Sequence, residues 1–249
     1  MTSPRSLLAL VACLVLAAPA QAGEARVAVA ANFTDAAREI GALFTKTTGH
    51  DIRLSFGATG QLYTQIALVA PFDAFLAADR AGPEKAVTEG LAVAGSRFTY
   101  ATGRIVLFSR DAGLVKGPET LTSVNIARIA IANPVTAPYG KAAIEAMTAL
   151  GVFDTLRGKI VQGTNIAQTY QFVHTGNAPL GFVALSQVVR YEGGSRWPVP
   201  EDLHAPIAQD AVLLKGGRDN PAARAFLDFI KGLQARAIKE QYGYGPGDR

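Results

Sequence analysis

The stretch RVAVAANFTDAAREIGALF, residues 26–44, decides the fold. Arg26 to Ala31 is a short apolar run with the length of a strand. From Thr34 onward Ala36, Ala37, Ile40, Leu43 and Phe44 recur at the three-to-four spacing of one helix face. Working outward, Asp51 to Phe56 gives a second strand, followed by a helix carrying Leu62, Ile66 and Val69. Phe72 to Ala78 gives a third strand, and Pro83 to Gly90 a short helix. This β-α-β-α rhythm predicts a doubly wound, parallel sheet. The second half repeats the rhythm without repeating the sequence. Arg104 to Ser109, Ala127 to Ala132, Leu180 to Val183 and Ala211 to Leu214 read as strands, with helices over Lys141 to Leu150 and Gln168 to His174 between them. A last helix opens at Asn220-Pro221, a good cap with proline at the first helical position, and runs to about Leu233. Its apolar face (Phe226, Phe229, Ile230, Leu233) must dock, and the first lobe is the candidate. The chain then crosses between lobes near Tyr100 to Gly103 and returns near Ala208. The expectation is an α/β protein with one lobe from 23–102 and 209–249 and a second from 103–208. Each lobe is a mostly parallel sheet flanked by helices, and the ligand cleft lies between them.

Composition bounds the function. The chain has 249 residues, 49% hydrophobic and 18% charged, with a net charge of +4. That is enough apolar material for two lobes, and it excludes disorder. No run of like charges gathers the excess, which argues against a nucleic-acid surface. Arg5, the apolar run Leu7 to Ala18, and Ala20-Gln21-Ala22 read as an export leader, 1–22, cleaved after Ala22. A competing lipoprotein reading through Leu10-Val11-Ala12-Cys13 is disfavoured because the apolar run continues past the cysteine. Cys13 is the single cysteine, so the exported protein has no disulfide, zinc-thiolate site or cysteine nucleophile. Nothing after the leader is long and apolar enough to span a membrane.

Catalytic signatures are missing. There is no G-x-S-x-G, GxxxxGK[ST], HExxH or GxGxxG after a strand, and His50, His174 and His204 stand alone. Asp73 and Asp79 flank a strand and are candidates for an acid–base pair, although helix capping or an inter-lobe hydrogen bond explains them as well. What remains is a set of four strand-to-helix turns rich in small and hydroxyl residues: Ala30 to Thr34, Phe56 to Gly60, Pro134 to Gly140, and Gly163 to Ile166. Ligands of doubly wound sheets bind beyond the carboxyl ends of the strands, where such turns lie. Each turn also offers free N–H groups at a helix N-terminus. Two turns from each lobe, facing one another, would make an anion site. Apart from Lys141 the turns carry no cation, so the anion would be held by neutral donors and dipoles. Simple capping by Asn32 and Thr59 is the competing reading.

The blocks RVAVAANFTDAAREIGALF, LSFGATGQLYTQI, PFDAFLAADR, ANPVTAPYGKAAIEAMTALGVFDTL and NAPLGFVAL resemble, in order, the periplasmic molybdate-binding proteins of ABC transporters, over about Val27 to Tyr242. The resemblance implies a two-lobed periplasmic binding protein of type II that closes on molybdate or tungstate. It also implies delivery of the ion to a membrane permease with its ATPase, and neither enzymatic activity nor a cofactor. The implied ligand residues are Asn32, Thr59 (side chain and backbone N–H), and Tyr139 and Ile166 through their backbone N–H. Ala31 and Gly60 are further backbone donors. The chain departs from the family pattern at Ala184, where many members carry a ligand tyrosine, so one donor must come from elsewhere, with the Tyr139 hydroxyl a candidate. Molybdenum is expected only as its oxyanion, never as a free cation, and a monomer is the simplest form for a diffusing binder. Three alternatives stay open: the same scaffold with sulfate or phosphate, a ligand-sensing domain of a transcription regulator, and a secreted hydrolase using Asp73 or Asp79.

Overall fold

The computed structural model describes residues 22–123 and 125–247. The leader features at Arg5, Leu7 to Ala18 and Cys13 lie outside the described residues. Among the described residues ten strands form two five-stranded sheets. The first holds β1 (Glu24–Ala30), β2 (Asp51–Gly57), β3 (Ala74–Leu76), β4 (Phe98–Gly103) and β10 (Ile207–Leu213), in the order β2-β1-β3-β10-β4. The second holds β5 (Ile105–Ser109), β6 (Ile129–Ala132), β7 (Ile160–Gly163), β8 (Leu180–Ala184) and β9 (Ser195–Pro198), in the order β7-β6-β8-β5-β9. The two orders are the same pattern, which is the structural counterpart of the repeated rhythm.

Each sheet is mixed. In the first, β1 pairs in parallel with β2 and β3, and β10 runs antiparallel to β3 and β4. In the second, β6 is parallel to β7 and β8, whereas β5 is antiparallel to β8 and β9. The expected mostly parallel sheet holds in strand direction, since four strands of each sheet run the same way and one reversed strand, β10 in the first and β5 in the second, makes the sheet mixed. The chain passes between sheets twice, and strands that enter from the other sheet arrive from the wrong end to pair in parallel. The stretch read as a crossing, Tyr100 to Gly103, is the last part of β4, which leaves Arg104 alone between the two sheets. Strands β4, β7 and β9 escape a reading of apolar runs. Their sequences, FTYATG, IVQG and SRWP, mix polar residues into short segments.

The larger helices are α1 (Thr34–Thr48), α2 (Thr59–Ala67), α3 (Ala81–Thr88), α5 (Pro138–Ala149), α7 (Ile166–His174), α9 (Pro221–Lys231) and α10 (Leu233–Gln241). Single turns form α4 (Thr120–Ser123), α6 (Phe153–Leu156) and α8 (Leu185–Val188). Helix α1 buries Ala36, Ala37, Ile40 and Phe44, and ends at Gly49 in the left-handed conformation. Phe226 and Ile230 of α9 pack with Val27, Phe44 and Leu213, so the last helix docks on the first sheet. Asn220 caps α9 by accepting from the N–H groups of Ala222 and Ala223. Two details differ from expectation. Helix α9 stops at Lys231, and Leu233 opens the separate helix α10. Val69 is not on the buried face of α2 but lies beyond its end, 85% exposed, with a φ of 63°.

Candidate functional site

Register explains how four separate turns reach one place. Ala30, the last residue of β1, pairs with Gly57, the last residue of β2, so the turns that follow leave the first sheet side by side. Ala132 of β6 pairs with Gly163 of β7, and their turns leave the second sheet together in the same way. All four turns contribute to one cavity of about 10 Å³, lined by Ala31, Asn32, Ala58, Thr59, Tyr139, Asn165 and Ile166 together with Ala30, Gly57, Ala78, Ala137 and Pro138. That is room for the centre of roughly one water-sized sphere. No charged side chain lines it. The sheets are drawn together over it: Gly60 donates from its N–H to the Thr136 carbonyl at 2.9 Å. The Ser186 hydroxyl donates to the Asn32 carbonyl at 2.9 Å.

The capping reading of Asn32 and Thr59 is set aside by geometry. The 3-10 turn Ala31–Phe33 and α2 have no side-chain cap. The Thr59 hydroxyl oxygen instead accepts the N–H of Ala78 at 3.0 Å. With that lone pair used, its proton is free to be donated. Asn32 points elsewhere. Its side-chain N–H₂ donates to Gln209 Oε1 at 3.0 Å and to the Tyr244 hydroxyl at 3.2 Å, with the Tyr139 hydroxyl at 3.4 Å. Its side-chain amide is thus engaged within the protein rather than at the cavity.

Tyr139 is similar. Its hydroxyl accepts from Gln209 Nε2 at 3.1 Å, inside the same buried network, and Pro138 ahead of it occupies the first helical position of α5. Helix α5 can start this close to the cavity because Gly140 has no side chain; a Cβ there would lie 2.1 Å from the Ala132 carbonyl oxygen. Ile166 opens α7, whose true cap is Asn165, accepting from the Gln168 N–H at 3.0 Å. As first-turn residues, Thr59, Tyr139 and Ile166 have no intrahelical acceptor for their N–H groups. Gly60, expected as a further donor, is not among the lining residues, since its N–H is committed to Thr136.

Electrostatically the cavity is neutral. Burial pushes the phenols of Tyr100, Tyr139 and Tyr244 well up from their usual value, so none brings a negative charge. Burial also raises the Asp79 carboxyl. Asp79 faces the larger neighbouring cleft and accepts the Gly82 N–H at 2.8 Å, and Asp73 accepts the Arg26 N–H at 2.7 Å. Neither forms an acid–base pair with the other. His50 accepts the Gly23 N–H, and His174 lies beside Tyr170. Among the described residues no group of His, Cys, Asp or Glu could hold a metal ion. What the arrangement supplies is a ring of N–H groups, helix N-termini carrying about half a positive charge each, and one hydroxyl.

Residues 25–245 match the family described as bacterial extracellular solute-binding protein. The chain is 55% identical to the molybdate-binding protein ModA of Rhodobacter capsulatus over 236 residues, covering 95% of this chain and 94% of the relative. The chain belongs to the ModA family of extracellular solute-binding proteins. A second ModA, from Azotobacter vinelandii, is 52% identical over 93% of both chains. The solved structure of the Azotobacter vinelandii periplasmic molybdate-binding protein superposes with a TM-score of 0.85 at 38% identity, covering 88% of this chain and 98% of that one. The two-lobed α/β fold of the ModA family is thus the fold seen here. At Ala184, the position of the departure from the family pattern, the residue is fully buried at the start of α8, and its N–H is taken by Gln187 Oε1 at 3.0 Å.

Proposed function

We propose that this protein captures molybdate or tungstate between its lobes and delivers the ion to an ABC importer, a permease with its ATPase. The observation that carries the reading is the convergence of four turns, two from each sheet, on one uncharged cavity edged by helix N-termini and the Thr59 hydroxyl. Asn32, Thr59, Tyr139 and Ile166 are the ligand residues, with Ala31 as a further backbone donor. The Thr59 side chain and the backbone N–H groups do the binding. Residues 23–102 with 209–249 and residues 103–208 act as the moving lobes, flexing where the chain crosses at Arg104 and in the segment before Ile207. Since the anion meets both sets of donors only when the lobes meet, binding favours the closed state. The chain is exported by the leader cut after Ala22 and works as a monomer without a cofactor, and binding rather than catalysis is its activity.

The same cavity bears on the alternatives. A hydrogen phosphate ion must donate its own proton, and no carboxylate lines the cavity to accept it. Sulfate is the stronger rival, having the charge and shape of molybdate but a smaller size, which leaves donors under-satisfied. A hydrolase is disfavoured because Asp73 and Asp79 are engaged by backbone N–H groups. The test is thermal unfolding of the dialysed protein with molybdate, tungstate, sulfate and phosphate in turn. A ligand at ~100 times its dissociation constant adds about 2.7 kcal/mol, an easily read rise in melting temperature. Rises with molybdate and tungstate but not sulfate are expected. A rise with sulfate or phosphate alone would keep the scaffold and replace the ligand.

A further inference from the structure

Gln209 is a fully buried amide that stands outside the lining of the four-turn cavity yet touches residues of both lobes. It stands near the start of β10, where the chain has just returned to the first sheet, and opposite Ala101 of β4, at a break in the strand register. Its Oε1 accepts from Asn32 Nδ2 at 3.0 Å and from the Tyr100 hydroxyl at 2.9 Å. Its Nε2 donates to the Tyr139 hydroxyl at 3.1 Å. One amide therefore holds the side chain of a cavity residue from the first lobe and that of a cavity residue from the second. It does so beside the last residue before the first crossing: a Cβ on Gly103 would lie 2.5 Å from Gln209 Nε2 and 2.2 Å from the Tyr139 hydroxyl oxygen. The hydrogen-bond directions are locked together. Turning the amide over would set two N–H₂ groups against each other at Asn32.

We propose that Gln209 is a positioning residue for anion capture. It fixes Asn32 and Tyr139 by their side chains so that their backbone N–H groups face the same point when the lobes meet. This inference rests on the anion-binding reading of the site. A buried amide of this kind could also serve stability alone, and the two roles separate experimentally. Gln209→Met keeps the bulk and leaves Tyr100 bonded to the Ala77 carbonyl, and Tyr139 within reach of Asn32. Gln209→Glu keeps both acceptor contacts and is a titratable group that can donate to Tyr139 only while its carboxyl is protonated. Val212→Ala, in the same strand and equally buried but outside the network, is the control for destabilisation.

The experiment is calorimetric titration of the wild type and the three variants with sodium molybdate between pH 6 and 8, with thermal unfolding of each protein alongside. Wild-type affinity is expected to be flat across this range, since no titrating side chain lines the cavity. Gln209→Met should bind about tenfold or more weakly, as when an outer partner of a ligand residue is lost, while Val212→Ala keeps wild-type affinity. Gln209→Glu should lose affinity progressively as pH rises and its carboxyl ionises, and recover towards pH 6. Binding by Gln209→Met within twofold of wild type overturns the inference. So does a flat pH profile for Gln209→Glu, which stands as a test even if the methionine variant does not fold. Absence of molybdate uptake by the wild type would instead remove the functional reading on which the inference depends.

Discussion

Thr59 is the residue whose chemistry is most exposed to test. Its oxygen accepts from Ala78 and its proton is spare, so Thr59→Ala removes a donor to a charged group. The expected cost is about 1.5–3 kcal/mol, or roughly 10–150-fold in molybdate affinity by calorimetry. Thr59→Ser keeps both hydrogen bonds and should restore affinity to near wild type; an unchanged constant in the alanine variant would take Thr59 out of the site. The rhythm of the sequence points to the four turns, because each follows an apolar run and precedes a helical one, and the resemblance to the family singles out Thr59, Asn32, Tyr139 and Ile166 within them. Neither reveals which atom of each faces the cavity. The direction of the Asn32 side chain is set by Gln209 and Tyr244, residues distant in sequence on segments with no ligand-like pattern. No local signal distinguishes an asparagine that presents its amide from one that presents its backbone.

At the scale of elements, the C-terminal pair α9 and α10 is fastened by one ammonium group. Lys239 is only 8% exposed and donates to the carbonyls of Tyr100 on β4 and Ile230 near the end of α9, at 2.6 and 3.0 Å. Burial pushes its pKa down from 10.5 to about 8. Between about pH 8 and pH 10.5 the unfolded chain then binds the proton that the folded chain has released. This group's contribution to stability accordingly rises with pH through that window and is least favourable below it. Comparing urea unfolding of the wild type and Lys239→Met at pH 8, 9 and 10 isolates the effect. The wild type should gain on the variant as pH rises, and parallel curves would deny the coupling. The elements themselves were largely legible. Long periodic helices such as α1 and α9, and the largely apolar strands β5, β6 and β8, announce themselves by spacing. Strand β4 does not, because FTYATG is held in the sheet by β10, which arrives more than a hundred residues later.

For the whole molecule, the fold class was readable from rhythm alone, but the mixed character of the sheets was not, since strand direction follows from where the chain crosses between lobes. The structure is a closed arrangement, sealed by the Gly60–Thr136 and Ser186–Asn32 hydrogen bonds and, farther out, by Arg190. Its guanidinium donates to the Tyr242 hydroxyl at 3.0 Å and lies 4.1 Å from that ring. If closure accompanies capture, small-angle scattering of the dialysed protein should show a smaller radius of gyration on adding molybdate and no change with sulfate at equal concentration. An unchanged radius would mean that the lobes meet without the ion. The seam itself bears on this balance. Where the first sheet meets the second, it contributes Ile207 at the start of β10 to the shared apolar cluster and, around the cavity, only the alanines Ala30, Ala31, Ala58 and Ala78. Each alanine offers a single methyl group, worth about 0.8 kcal/mol at most when covered. Walls so shallow have little grip on each other, and a seam faced with leucine would snap shut empty. If closure does follow capture, a faint adhesion of this kind would let the shape of the molecule report its cargo, so that anything reading the outer surface could tell a loaded carrier from a vacant one.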